Sequence, residues 1–184
     1  MPPHPLGTST PTLHDAPMQS IRIILFATAA AILYGILHDQ VTAHLCVEYF
    51  TIAHPPVFPT TSPFLLAVGW GVIATWWVGL PLGVLLAAAA RLGPRNRLTV
   101  AQLKRPVLLL MATSAIAALV AGIACAWMVA AGSMAVPGGW GALIPPEKHV
   151  AFSAAAGAHL ASYLSGFIGG LVLIGLTIRR RFVR

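Results

Sequence analysis

The stretch FLLAVGWGVIATWWVGLPLGVLLAAAARLGPRNR, residues 64–97, decides the fold class. Residues 64–90 contain no charged side chain, and Arg91, Arg95 and Arg97 follow directly. A helix rises 1.5 Å per residue, so about 20 apolar residues are enough to cross the hydrocarbon core of a bilayer. The stretch therefore predicts a membrane-spanning helix that ends in a basic loop.

The chain contains three further apolar runs, and none of them has the pattern of a β-strand. We predict helices over about 21–52, 64–90, 106–131 and 150–178, which together give an all-α, transmembrane four-helix bundle. Residues 21–184 then form one transmembrane domain. Residues 1–20 are rich in Pro, Thr and Ser and predict a disordered tail. Met18 is an alternative start that would shorten this tail.

The composition excludes a soluble domain. Of the 184 residues, 58% are apolar and only 8% are charged, too few charges for a polar shell. The net charge of +7 raises the question of nucleic acid, but the basic residues lie only at the edges of the apolar runs. We therefore expect the lipid bilayer as the partner, with other membrane proteins as further candidates, and no nucleic acid.

The Lys and Arg residues of the short loops predict the orientation. Residues 91–105 hold five of them and the C-terminal tail holds four, whereas residues 38–63 hold none and residues 132–150 hold only Lys148. Positive charge marks the cytoplasmic side, which predicts that both termini are cytoplasmic. An alternative is that the first span is a signal peptide cleaved after residues 41–43, Val-Thr-Ala, which would leave three helices in the same orientation.

Histidines and acids gather on the opposite side. The predicted topology places three of the four acids there (Asp39, Glu48 and Glu147), together with five of the seven histidines: His38, His44, His54, His149 and His159. Polar groups at membrane depth are costly, so they need partners. This shared location is the main indication of a site.

A helical period of 100° per residue places His38 and Asp39 where they can meet His159 and Tyr163 of the last helix. With Cys46 and His54, these groups offer nitrogen, oxygen and sulfur ligands for copper or zinc. A haem held by two histidines is an alternative cofactor. A third alternative is that no cofactor binds. The polar groups would then form a hydrogen-bonded network that also includes Thr42, Glu48, Tyr49 and Tyr163. The spacing matches no HExxH or CxxC signature that would decide between them.

The pattern YGxxHDxxTAxxCxEYFTxxHP, residues 34–55, resembles an uncharacterised family of small bacterial multi-pass inner-membrane proteins. The stretch GWGVIATWW, residues 69–77, and the region 149–163 resemble the same group. The resemblance implies a bacterial inner-membrane location. It brings no activity with it.

The short outer loops leave no room for a soluble catalytic domain, which favours a non-enzymatic protein. The first functional interpretation is therefore a structural protein, or one accessory to a membrane complex. The alternative is a metal- or haem-binding redox or transport protein that uses the histidine cluster.

The orientation can be tested with a reporter joined after Arg184. Because positive loops stay on the cytoplasmic side, a fluorescent protein fused there is expected to fluoresce, and alkaline phosphatase fused there is expected to be inactive. The control fusion, in the loop at residue 60, should show the reverse. Phosphatase activity from the C-terminal fusion would contradict the orientation.

Overall fold

The structure is a computed structural model that describes residues 15–182. The first fourteen residues of the predicted tail lie outside this range. Within it the chain forms helices and no strand: α1 (Asp15–Leu45), α2 (Val47–Thr51), α3 (Pro63–Arg91), α4 (Val100–Ala130) and α5 (His149–Phe182). Two 3-10 turns, Pro137–Ala142 and Pro146–Lys148, precede α5. Four of the helices are long and apolar enough to cross a membrane, which confirms the predicted fold class.

The first predicted helix, 21–52, differs from the structure at both ends. It begins earlier, at Asp15, so the last residues of the predicted tail are helical. It also breaks at Cys46, whose extended backbone (φ −153°) separates α1 from the short α2. The residues after Cys46 therefore do not continue the helical period of α1.

The third predicted helix begins six residues earlier than expected, at Val100 instead of residue 106. Pro106, the predicted start, lies inside α4. The Gln102 side chain accepts a hydrogen bond from the Thr99 amide (2.9 Å), which caps the helix at this earlier point.

Glycines bring the spanning helices together in two close pairs, α1 with α3 and α4 with α5. A Cβ atom at Gly71 of α3 would lie 2.5 Å from the backbone nitrogen of Ile36 in α1. One at Gly157 of α5 would lie 2.5 Å from the sulfur of Cys125 in α4. Small residues that let backbones approach are typical of helix contacts in membranes. The two pairs touch each other less extensively, and the polar residues lie between them.

Buried apolar clusters close the bundle at both ends. One, at the end with the arginines, includes Ile23, Leu86 and Leu103. At the other end Phe152 packs against Ile144. The outward faces of the helices carry exposed leucines, isoleucines and valines along their length, as expected of lipid-facing surfaces. Polar side chains between the two clusters are therefore shielded from water on both sides.

Replacing Gly71 with alanine tests the close α1–α3 contact. Because the new Cβ would meet backbone rather than a movable side chain, we expect the free energy of unfolding to fall by about 1–3 kcal/mol. Gly175→Ala on α5 is the matched control, since nothing lies within 4 Å of its Cβ position. It should leave stability unchanged or raise it by up to about 1 kcal/mol. The measurement is unfolding by SDS in detergent micelles, and equal losses for both variants would contradict the contact.

Candidate metal centre

The cluster consists of His38 and Asp39 from α1 and His159 from α5. His38 lies seven residues before the end of α1, and His159 lies ten residues after the start of α5. These positions are roughly 10 and 15 Å from the respective helix ends. Asp39 and His159 are both buried, 4% and 5% exposed. The site therefore lies inside the bundle, away from the loops.

Asp39 and His159 share a hydrogen bond that joins the first helix to the last. The distance from His159 Nε2 to Asp39 Oδ1 is 3.1 Å, and His159 Nδ1 lies 2.8 Å from the carbonyl oxygen of Ala155. A carbonyl only accepts, so Nδ1 carries a proton and donates it to Ala155. A proton must then also lie between Nε2 and the carboxylate, on one partner or the other. Nε2 is therefore the nitrogen of His159 that faces Asp39, and without this proton it is the atom that can ligate an ion.

His38, next to Asp39 on α1, completes the cluster. Its ring lies against that of His159, with centroids 4.5 Å apart at an angle of 77°. Its Nε2 atom is buried and has no hydrogen-bond partner among the residues that the structure describes. One ligand atom from each of His38, Asp39 and His159 can be chosen so that all three lie within 4.8 Å of one another. Two imidazole nitrogens and a carboxylate oxygen are a common ligand set for zinc and other transition metals.

A cavity of about 110 Å³ extends from the cluster between the two helix pairs. Its walls are mostly apolar, but the Tyr34 hydroxyl and Ser162 Oγ form a 2.6 Å hydrogen bond beside the cluster. Farther along, the fully buried Ser114 Oγ has no hydrogen-bond partner among the described residues. Since unpaired buried polar atoms are costly, the cavity suits a polar occupant. It can admit a small ligand to one side of the cluster.

Aromatic rings cover the loop side of the cluster. Tyr49 of α2 lies with its ring centroid 4.5 Å from that of His159, and Phe50 lies 5.6 Å away. Phe152 backs Tyr49 at 5.5 Å. These rings separate the imidazoles from the outer loops. The open side of the cluster is therefore the cavity.

His54, a candidate ligand in the sequence, does not join the cluster. Its Nδ1 donates to the carbonyl of Tyr49 at 2.7 Å. Its ring stacks on Phe50 and also contacts Trp70 at 4.7 Å. Burial lowers the pKa of His54, which keeps the imidazole neutral near pH 7. His54 lies after the end of α2 at Thr51, in the loop that leads to α3.

Cys46, also a candidate ligand, faces a different cluster. Its thiol donates to Glu48 Oε2 at 3.4 Å, and Glu48 in turn forms an ion pair with Lys148 at 3.2 Å. The side chain is 1% exposed and packs with Ile144 and Phe152. Neither Cys46 nor Glu48 reaches the His–Asp cluster. They connect the start of α2 to the turn before α5.

The other predicted network residues lie at the border of the cluster. Thr42 donates to the backbone carbonyl of His38 (3.2 Å), within α1. Tyr163 contacts His159 at a ring distance of 6.3 Å. Tyr34 was not among the predicted residues. Tyr34 lies one turn before His38 on α1, and Ser162 lies one turn after His159 on α5. These spacings, i, i+4 and i, i+3, place both residues on the same helix faces as the histidines, and this is the signal that could have identified the Tyr34–Ser162 pair.

No model of a known protein family matches this chain, and neither a curated protein nor a solved structure does.

The thiol of Cys46 should react slowly with a water-soluble maleimide. Burial raises its pKa to about 11 from an ordinary value of 9.0, and Glu48 acts in the same direction. Because the thiolate is the nucleophile, the rate at pH 8 should be about one hundredth of that of a free thiol. It should then increase about tenfold per pH unit until pH 11. The measurement is mass-spectrometric labelling of the Cys125→Ser variant, with denatured protein as the control. Rapid labelling of the folded protein at pH 8 would contradict the buried placement.

Proposed function

We propose that this multi-pass membrane protein binds one divalent transition-metal ion through His38, Asp39 and His159. The observation that carries the proposal is the convergence of three ligand atoms within 4.8 Å inside the bundle. The ligands come from two helices far apart in sequence, so the fold itself assembles the set. Buried polar residues at membrane depth are commonly functional, because their cost must be offset.

The unpartnered Nε2 of His38 supports an ion over a purely hydrogen-bonded network. Asp39 and His159 satisfy each other, but His38 adds a third polar group beside them with no protein partner. A metal ion takes the lone pairs of both imidazoles together with the charge of the carboxylate. The Ala155 carbonyl then orients the His159 ring, as partners of metal-bound histidines commonly do.

The ligand types favour zinc, copper or ferrous iron over magnesium or calcium, which prefer oxygen ligands. Haem is disfavoured, because the His38 and His159 rings are already in contact at 4.5 Å and leave no room for a porphyrin between them. A site with three protein ligands and one free side is typical of ions that exchange ligands or react. The cavity beside the cluster supplies that free side.

The location we infer for this protein is the bacterial inner membrane, with the metal centre in the extracytoplasmic half of the bilayer. The resemblance of residues 34–55 and the distribution of basic loops support this location. A role in metal-linked redox chemistry or metal transport follows from such a centre.

A second candidate function is structural, in a protein accessory to a membrane complex. The Asp39–His159 hydrogen bond favours it, because this bond fastens α1 to α5 across the junction of the two helix pairs. Without an ion the same groups would stabilise the bundle.

Metal analysis of the purified protein tests the proposal. After treatment with EDTA and addition of one equivalent of Zn²⁺, we expect one bound zinc per chain by elemental analysis. Co²⁺ in place of zinc should give the visible absorption bands of a protein-bound ion. Asp39→Asn and His159→Gln each remove a ligand, and we expect them to weaken binding at least tenfold. His54→Gln is the matched control and should bind normally, because His54 lies outside the cluster.

The same variants separate the two functions. Melting temperatures without metal measure the structural contribution of the Asp39–His159 bond. If His159→Gln lowers the melting temperature while the wild-type protein binds no metal, the proposal is overturned in favour of the structural role. Equal zinc binding by wild type and by the folded His159→Gln variant would also overturn it.

A further inference from the structure

The end of the bundle opposite the His–Asp cluster carries a dense set of cations, which we call the basic face. It comprises the 91–105 segment and the last turn of α5, with these side chains: Arg91, Arg95, Arg97, Lys104, Arg105, Arg179, Arg180 and Arg181. Arg97, Lys104, Arg105 and Arg179 are exposed, whereas Arg181 is buried. The face thus has an exposed layer over a buried one.

No carboxylate balances these charges among the side chains that the structure describes, those of residues 17–182. Of the four acids in the chain, Asp39, Glu48 and Glu147 lie toward the opposite end, and Asp15 falls before this range. The two ion pairs within the range, Asp39–His159 and Glu48–Lys148, are also at that end. The basic face therefore holds a concentrated positive charge that attracts anions.

Backbone carbonyls take the place of carboxylates in the buried layer. The guanidinium of Arg181 donates to the carbonyl oxygens of Ala89, Leu92 and Asn96, at 2.7–2.8 Å. Arg91 donates to the carbonyl of Leu98 at 3.1 Å. These bonds fix the 92–99 loop and keep the buried charges on protein oxygens. The exposed cations are therefore held on a formed surface, and no carboxylate among the side chains of residues 17–182 forms an ion pair with them.

The position of the face restricts what its anion can be. Exposed apolar side chains lie at the same level, among them Leu92, Ile178 and Phe182, and Arg95 lies over the Phe182 ring at 3.8 Å. Long basic side chains beside exposed apolar ones are typical of the boundary between hydrocarbon and headgroups. An anion with a hydrocarbon tail can meet both kinds of surface at once. A free anion would use only the charges.

We propose that the basic face binds the phosphate headgroup of an anionic phospholipid, with Arg97, Lys104 and Arg105 as its main contacts. Arg97 precedes α4, and Lys104 and Arg105 lie in its second turn. The amino end of α4 adds partial positive charge there, with no acidic residue in the first turn to oppose it. Guanidinium and ammonium groups bind phosphate oxygens through charge-assisted hydrogen bonds. The site is separate from the metal centre and does not depend on it.

Lipid binding to the whole protein in a neutral detergent tests the proposal. Native mass spectrometry would compare phosphatidylglycerol with phosphatidylcholine of the same acyl chains. We expect the anionic lipid to bind at least tenfold more tightly. Arg97→Gln and Lys104→Gln should each reduce this preference, by about fivefold per charge removed. Lys148→Gln removes a cation from the opposite end and should leave the preference unchanged. Lys104→Arg keeps the charge and should also preserve it.

Three results would overturn the proposal. One is equal binding of the two lipids by the wild-type protein. Another is full preference in a folded Arg97→Gln/Lys104→Gln double variant. The third is displacement of phosphatidylglycerol by millimolar inorganic phosphate, which would indicate a free-anion site instead. Because Arg97 and Lys104 are exposed, their variants should keep the wild-type melting temperature, and that measurement confirms folding.

Discussion

The interior of a bilayer offers no water to an imidazole or a carboxylate, and this constraint determines how the polar residues of this chain are used. Asp39 and His159 would each be costly alone at their depth. Their 3.1 Å contact satisfies both and, in doing so, fixes how α1 and α5 face each other. His38, which precedes Asp39 on α1, also lies against the His159 ring. One contact thus sets both the register of two helices and the site.

The close pairs explain why a cavity remains beside this contact. Glycines let α1 approach α3 and α4 approach α5 closely, as at Gly71 and Gly157. The two pairs then meet through larger and polar side chains, which pack less closely. The result is a cavity of about 110 Å³, which is lined at one end by His38, Asp39 and His159. Tight packing inside each pair and looser packing between them therefore place the free space next to the chemistry.

Much of this arrangement could be predicted from the sequence, because lipid simplifies the rules. Apolar length gave the four spans, and helical period brought His38 and Asp39 to the face that meets His159. The contributions of Cys46 and His54 could not be predicted in the same way. Helical periodicity places side chains only if the helix is continuous. The backbone of Cys46 is extended and interrupts the helix, and no Gly or Pro at this position signals the break. The predicted start of α4 at Pro106 was too late, because the helix is capped earlier by the hydrogen bond from the Thr99 amide to the Gln102 side chain.

Charge is handled differently at the two ends of the bundle. At the histidine end Glu48 forms an ion pair with Lys148, and Asp39 shares a hydrogen bond with His159. At the basic end Arg181 is neutralised only in part, by the dipoles of the carbonyls at Ala89, Leu92 and Asn96. Dipoles hold a guanidinium in place without removing its field. The protein therefore presents a net positive surface at one membrane boundary, while the opposite half keeps its polar chemistry internal. That asymmetry orients the chain in a membrane with a fixed sidedness.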